Sequence, residues 1–160
     1  MNNAWVKEEL TMEVRKGITG FLGPNAAGKT TTIKILMGLL TPTAGRALVF
    51  GIDPMKKPLE VRKRVGFMPE NPRPYKDMNG LQFLNFIAKL RGVAPKERES
   101  EVESLVEKVG LSERKKDKIK TYSRGMVQRL FIAQTLVGNP DLIILAEPTA
   151  GLDPLGREEV

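Results

Sequence analysis

Gly23-Pro24-Asn25-Ala26-Ala27-Gly28-Lys29-Thr30 is the stretch on which the fold turns. It fits Gly-x-x-x-x-Gly-Lys-(Ser/Thr), a loop whose backbone N–H groups wrap nucleotide phosphates. Gly23 and Gly28 let the backbone turn tightly and approach an anion closely. Lys29 reaches the β- and γ-phosphates as a mobile point charge, and Thr30 offers a hydroxyl to Mg²⁺. The loop then opens a helix, whose N-terminus favours anions. Upstream, Ile18-Thr19-Gly20-Phe21-Leu22 reads as a short buried strand. Downstream, Ile33, Leu36, Met37 and Leu40 recur at helical spacing. Strand, loop and helix in that order predict a nucleotide site made by Gly23, Pro24, Asn25, Ala26, Ala27, Gly28, Lys29, Thr30 and Thr31.

The 160 residues suffice for one domain with one core, and 41% hydrophobic with 28% charged residues is a globular composition. Cysteine is absent, which excludes a disulfide framework and fits a reducing compartment. Lys7, Glu8 and Glu9 interrupt any N-terminal apolar stretch, so no signal segment is expected. No run approaches the ~20 apolar residues of a membrane span, so a membrane role would be peripheral. The net charge is +7 and the pI about 9.7, which suits phosphates, nucleic acid or anionic lipid. Much of the excess lies in Arg114-Lys115-Lys116-Asp117-Lys118-Ile119-Lys120, read as a solvated connection between helices. No aromatic residues are interleaved to stack bases, and nucleic acid is not an expected partner.

Ala47 to Phe50 follows a turn at Ala44-Gly45 and is expected to be a strand. Val65-Gly66-Phe67-Met68, after the basic Arg62 to Arg64, is expected to be another. Pro69, Pro72 and Pro74 break regular structure. Phe83, Phe86, Ile87 and Leu90 then share one helix face, and Gly92 with Pro95 ends that helix and starts the next. There Val102, Leu105, Val106 and Val109 form the apolar stripe and Gly110 the C-terminal stop. A further helix begins near Ser123, with Met126, Leu130, Ala133 and Val137 on its apolar side and Gly138 at its end. After Asn139-Pro140, Leu142-Ile143-Ile144-Leu145-Ala146 suits a central parallel strand buried on both faces.

Three segments beyond the loop point to chemistry. Tyr122-Ser123-Arg124-Gly125-Met126-Val127-Gln128-Arg129-Leu130 puts a hydroxyl and a glycine at a helix start, where N–H groups face an anion. Glu147 ends the second apolar strand, the edge at which α/β folds keep ligands, and there it could take a proton from attacking water. Ala150-Gly151-Leu152-Asp153-Pro154 forms a turn.

Together these segments resemble the ATPase subunits of ABC transporters over nearly the whole chain. The octet resembles the Walker A motif. Ser123, Arg124, Gly125, Met126 and Gln128 lie in what resembles the signature motif, in the Tyr-Ser-Arg-Gly form common in the drug- and antibiotic-export branch. Leu142 to Glu147 resembles Walker B, Asp153 lies in a D-loop-like turn, and Glu70 stands where the Q-loop glutamine is usual. The resemblance implies an α/β P-loop NTPase core with a helical subdomain, incomplete at the C-terminal end. The α/β lobe would comprise residues 1–74 and 140–160, and the helical subdomain residues 75–139. It implies ATP and Mg²⁺ as ligands, a head-to-tail second ABC ATPase subunit, and a separate transmembrane permease. Ser123 and Gly125 would touch the γ-phosphate of ATP held by the partner. The location implied is cytoplasmic, peripheral on the inner face of the membrane.

The chain departs from that pattern at several points. Walker B normally ends in Asp-Glu, and here it is Ala146-Glu147, without the carboxylate that helps to hold Mg²⁺. Ala26 replaces a usual glycine, at a cost of about 1 kcal/mol if that position needs positive φ. Lys16-Gly17-Ile18 lacks the usual acidic residue. The chain has no histidine, the usual switch histidine would fall beyond Val160, and the adenine-stacking aromatic would fall at or before Met1. Trp5 is either a substitute for it or an edge-packing residue. A fragment, a truncated product or a degraded copy is expected, with an open sheet edge and exposed apolar surface. Glu70 is either a branch-typical residue or a metal ligand, beside Thr30, that compensates for Ala146. The function implied is ATP hydrolysis powering export, with Glu147 as general base. The alternatives are a nucleotide-binding but catalytically weak module and, last, a soluble ABC-type ATPase acting on ribosomes or nucleic acid.

Overall fold

A computed structural model describes residues 10–24 and 27–148. The chain divides into two compact units, Met1–Val61 and Arg62–Val160.

In the first unit the glycine-rich loop opens helix α1 (Lys29–Leu36). Met37 is buried and Ile33 and Leu36 are half-buried, but Leu40 is exposed, because the helix stops before reaching it. Gly38 makes the stop. Its φ of +64° suits glycine, and a Cβ there would lie 2.4 Å from the carbonyl oxygen of Pro54. The run 18–22 is not the buried strand its composition predicts. It joins no ladder, and Ile18 and Leu22 are exposed, the latter at 91%. An apolar run becomes a strand only beside a neighbour that offers hydrogen bonds. Both strands found among the described residues pair with each other in the second unit. Residues 47–50 are likewise not a strand. Val49 and Ile52 exchange N–H···O bonds of 2.9 and 3.0 Å across a two-residue turn. Phe50 (φ 53°) and Gly51 (φ 75°) both sit at positive φ, the type I′ pattern, which reverses the chain after a single pair.

Helix α2 (Pro58–Arg64), short and without an apolar stripe, leads into the second unit. Its basic last turn, Arg62, Lys63 and Arg64, complements the helix dipole. Strand β1 (Val65–Met68) follows. Three α-helices then intervene, α3 (Gly80–Arg91), α4 (Pro95–Lys108) and α5 (Arg124–Leu136), before strand β2 (Leu142–Leu145). β2 runs parallel to β1, with Val65 opposite Leu142 and Met68 opposite Leu145. α3 starts in a capping box: Asn79 accepts from the Gln82 N–H at 2.8 Å, and the Gln82 side chain accepts from the Asn79 N–H at 3.0 Å. Gly92 in the left-handed conformation ends α3, and Pro95 occupies the first turn of α4.

The core gathers Leu84, Ala88, Val102, Val106, Leu130 and Val137 around Met68, with Phe83 and Phe131 at 5.4 Å between ring centroids. The stripe expected on α3 is rotated: Phe83, Leu84 and Ala88 are buried, Phe86 and Ile87 are half-buried and Leu90 is exposed. Packing against α4 and α5 selected the face. On α4, Val102, Leu105 and Val106 are buried as expected, and Gly110 takes φ +64° just past its end. Leu130, Ala133 and Val137 are buried as expected, and Met126 packs at the rim. The basic stretch 114–120 connects α4 to α5 and is largely exposed, with Arg114 paired to Asp117 and Lys115 to Glu103. β2 differs from expectation. It is not buried on both faces, for Ile143 and Leu145 are 41% and 39% exposed. Among the described residues the sheet has two strands, so β2 lacks the flanking cover of a central strand.

Where α5 crosses β1 the backbones nearly touch: a Cβ on Gly66 would lie 2.0 Å from the carbonyl oxygen of Thr135. Arg91, at the end of α3, donates to the carbonyls of Val65 (3.1 Å) and Lys63 (3.2 Å) and so ties that helix to the start of β1. Burial lowers its pKa against the pull of Glu101, which itself accepts the Gly138 N–H at 2.6 Å.

Candidate functional site

In the first unit, the chemistry gathers at the head of α1. Gly28 is the N-cap residue, buried, at φ 84° and ψ 6°, a conformation glycine adopts without penalty. The first intrahelical bond is Thr32 N–H to Gly28 C=O at 2.8 Å. Helix geometry therefore leaves the N–H groups of Lys29, Thr30 and Thr31 without intrahelical acceptors. The Thr32 hydroxyl closes back on the Gly28 carbonyl at 3.0 Å, and the Ala27 N–H donates to Pro24 at 3.2 Å. Lys29 folds over the loop, its ammonium donating to the carbonyls of Gly23 (2.5 Å) and Pro24 (3.0 Å). An arriving phosphate would meet a positive charge already held at the loop, beside the positive end of a helix with no acidic residue in its first turn. Thr30 is exposed and Thr31 half-buried. Asn25 and Ala26 lie outside the described residues.

No group of three or more His, Cys, Asp or Glu able to hold a metal exists among the described residues. The donor set at α1, one Thr30 hydroxyl beside a phosphate cradle, fits a magnesium ion that keeps its waters and its phosphate ligands rather than one caged by protein.

In the second unit, Ser123 caps α5, its hydroxyl accepting the Met126 N–H at 3.2 Å, a cap that stabilises the helix by about 1 kcal/mol. Ser123 and Arg124 are exposed, and Gly125 and Met126 are half-buried. Tyr122 donates its hydroxyl to the Arg114 carbonyl at 2.8 Å and lies against Gly80; burial, with Asp117 nearby, pushes its pKa up. An open cleft of about 480 Å³ runs between the segment after β1 (Glu70, Asn71, Pro72, Arg73) and the head of α5 (Tyr122, Arg124, Val127, Gln128). Glu70 thus shares a cleft with two arginines. The sequence reading missed Arg73, which no motif marks, and the Pro148 carbonyl, to which the Gln128 amide donates. Ala146 continues the ladder past β2, its N–H bonded to Met68 C=O at 3.0 Å. Glu147 is exposed and takes φ 52°. Asp153 lies outside the described residues. The structure therefore brings Glu70, Arg124 and Gln128 to one cleft and Gln128 to the Glu147-Pro148 segment, while the phosphate loop belongs to the other unit.

A glycine-capped phosphate loop at a helix start, with parallel strands and packed helices, defines a mixed α/β P-loop protein. A family model described as ABC transporter matches residues 8–150. The chain belongs to that family. It is 44% identical over 154 residues to the uncharacterized ABC transporter ATP-binding protein YhcH of Bacillus subtilis (strain 168), covering 96% of this chain and 50% of that protein. It is 41% identical over 154 residues to the bacitracin transport ATP-binding protein BcrA of Bacillus licheniformis, covering 96% and 49%. A solved structure titled "Structure of ATP binding subunit of ABC transporter" superposes with a TM-score of 0.75 at 31% identity, covering 86% of this chain and 57% of that one. The chain spans about half the length of the curated relatives it matches. No helix among the described residues is long and apolar enough to cross a membrane.

Proposed function

We propose that this chain belongs to an ATP-hydrolysing subunit that powers export through a separate membrane permease, on the cytoplasmic face. The observation that carries the reading is the head of α1, where Gly28 at positive φ and Lys29 frame an anion cradle. The loop from Gly23 to Thr31 holds the ATP phosphates, with Lys29 as the charge clamp. Thr30 would supply one oxygen to a Mg²⁺ ion, and such an ion would offset the negative charge of the phosphates. Glu147 takes the proton from the attacking water or orients it. Ser123 and Gly125 serve the nucleotide of a second, head-to-tail ATPase subunit. The lobe at 1–74 and 140–160 carries the hydrolytic residues, and residues 75–139 form the helical part that carries the signature segment.

ATP binding tests this directly. Lys29→Ala removes charge-assisted bonds worth about 1.5–3 kcal/mol, so affinity for ATP should fall by about 10- to 100-fold in equilibrium dialysis. Unchanged affinity would refute the cradle. The same titration run against Mg²⁺ examines Glu70. If Glu70 compensates for Ala146, Glu70→Gln shifts the Mg²⁺ midpoint upward, and an unmoved midpoint ends that idea.

A second reading, a module that binds nucleotide but hydrolyses it weakly, is favoured by Ala146, which brings no carboxylate to the end of β2. A gain in turnover in Ala146→Asp, with ATP affinity unchanged, would support it.

A further inference from the structure

We propose that Gln128 is a positioning residue for Glu147, coupling the signature helix of this chain to its own general base. The inference rests on the reading of Glu147 as that base.

β2 delivers the chain to Glu147 along a ladder that persists to Ala146, whose N–H is held by Met68. At Glu147 the backbone leaves the strand at φ 52°. A residue with a Cβ adopts the left-handed region only when its surroundings hold it there, and such residues concentrate at functional sites. On the far side of Glu147, the Pro148 carbonyl accepts a hydrogen bond from Nε2 of Gln128. Gln128 is 3% exposed and lies on the second turn of α5, five residues after the Ser123 cap. Glu147 is thus gripped on both sides, by β1 through Ala146 and by α5 through Pro148.

The geometry makes the grip directional. α5 rests on β1 with almost no space at Gly66, and its head is closed by Ser123, whose hydroxyl accepts the Met126 N–H. Anything that shifts the head of α5 moves Gln128 with it, because the amide stem is buried and the helix is stiff. The Pro148 carbonyl follows its donor, and Glu147 turns with it. A carboxylate that accepts a proton in the transition state must be held to within a fraction of an ångström. The Gln128 bond sets that position without touching nucleotide or water.

Gln128→Met, close in volume and without an N–H, tests this in the full chain. Amide hydrogen exchange at Ala146, whose N–H is bonded to the Met68 carbonyl, is the readout that needs no turnover, and it should quicken by about tenfold or more while the thermal midpoint stays near that of the unaltered chain. Mg²⁺-dependent hydrolysis should lose about tenfold or more in kcat with KM for ATP unchanged. Glu147→Gln is run alongside. If it abolishes hydrolysis while Gln128→Met changes neither exchange nor kcat, the base stands and the positioning role is overturned. If Glu147→Gln hydrolyses normally, the base reading fails and the proposal with it. Equal losses in stability, KM and kcat in Gln128→Met would show a merely structural residue and also overturn it.

Discussion

Replacing Glu147 by glutamine is expected to lower Mg²⁺-dependent ATP turnover by about 10²–10⁴-fold while ATP binding persists. The substitution keeps the size and the hydrogen-bonding reach of the side chain and removes only its capacity to take a proton. The residue lies at the C-terminal end of β2, is exposed, and has its backbone in an uncommon conformation held from both sides. Binding is expected to survive because the phosphates are assigned to the loop at α1, in the other unit of the chain. Turnover and equilibrium ATP binding measured on both forms decide the matter. Equal turnover would remove Glu147 from the chemistry, and loss of binding together with turnover would make it a structural residue.

The second large effect is on stability. Gly66→Ala is expected to destabilise the second unit by about 3 kcal/mol, the upper end of the range for overpacking. Gly66 is not at positive φ, so alanine suits the strand conformation and the effect isolates the clash. The added methyl would stand 2.0 Å from the Thr135 carbonyl oxygen and 2.9 Å from its carbon. These are backbone atoms inside α5 and cannot swing aside as a side-chain end would. The methyl can be accommodated only by lifting α5 from β1, which opens the core around Met68, Leu130 and Ala133. Since domains have only about 5–15 kcal/mol of net stability, urea unfolding followed by circular dichroism should show a clear fall in midpoint. A midpoint equal to that of the glycine form would mean that α5 can slide on β1 without cost.

How much was legible in the sequence varied with the range of the forces involved. Helix ends were legible because capping is local: Ser123, Gly92, Pro95 and Gly110 act on neighbours a few residues away, and each stands where its chemistry predicts. Helix α2 escaped notice because its seven residues lack an apolar period. Strands were less legible. β1 and the run at 18–22 look alike in composition, yet only β1 found a partner. The run at 47–50 was diverted by Phe50 and Gly51 into a turn that the alternation of apolar residues did not announce. The choice of face on α3 was also hidden, since Phe83, Phe86, Ile87 and Leu90 satisfy the same spacing whichever neighbour they meet.

By itself, the sequence determined where the glycine-rich loop opens a helix, the helix cap at Ser123 and the class of protein, because these rest on residue types whose conformational freedom and charge act within a few positions of themselves. Only the tertiary structure decided which apolar runs became strands, how closely α5 lies on β1 at Gly66, and that the Gln128 amide reaches the Pro148 carbonyl twenty residues away. Those outcomes depend on pairing and packing between distant segments. Such contacts form only when loop closure and the competition among alternative partners are resolved by the whole chain at once.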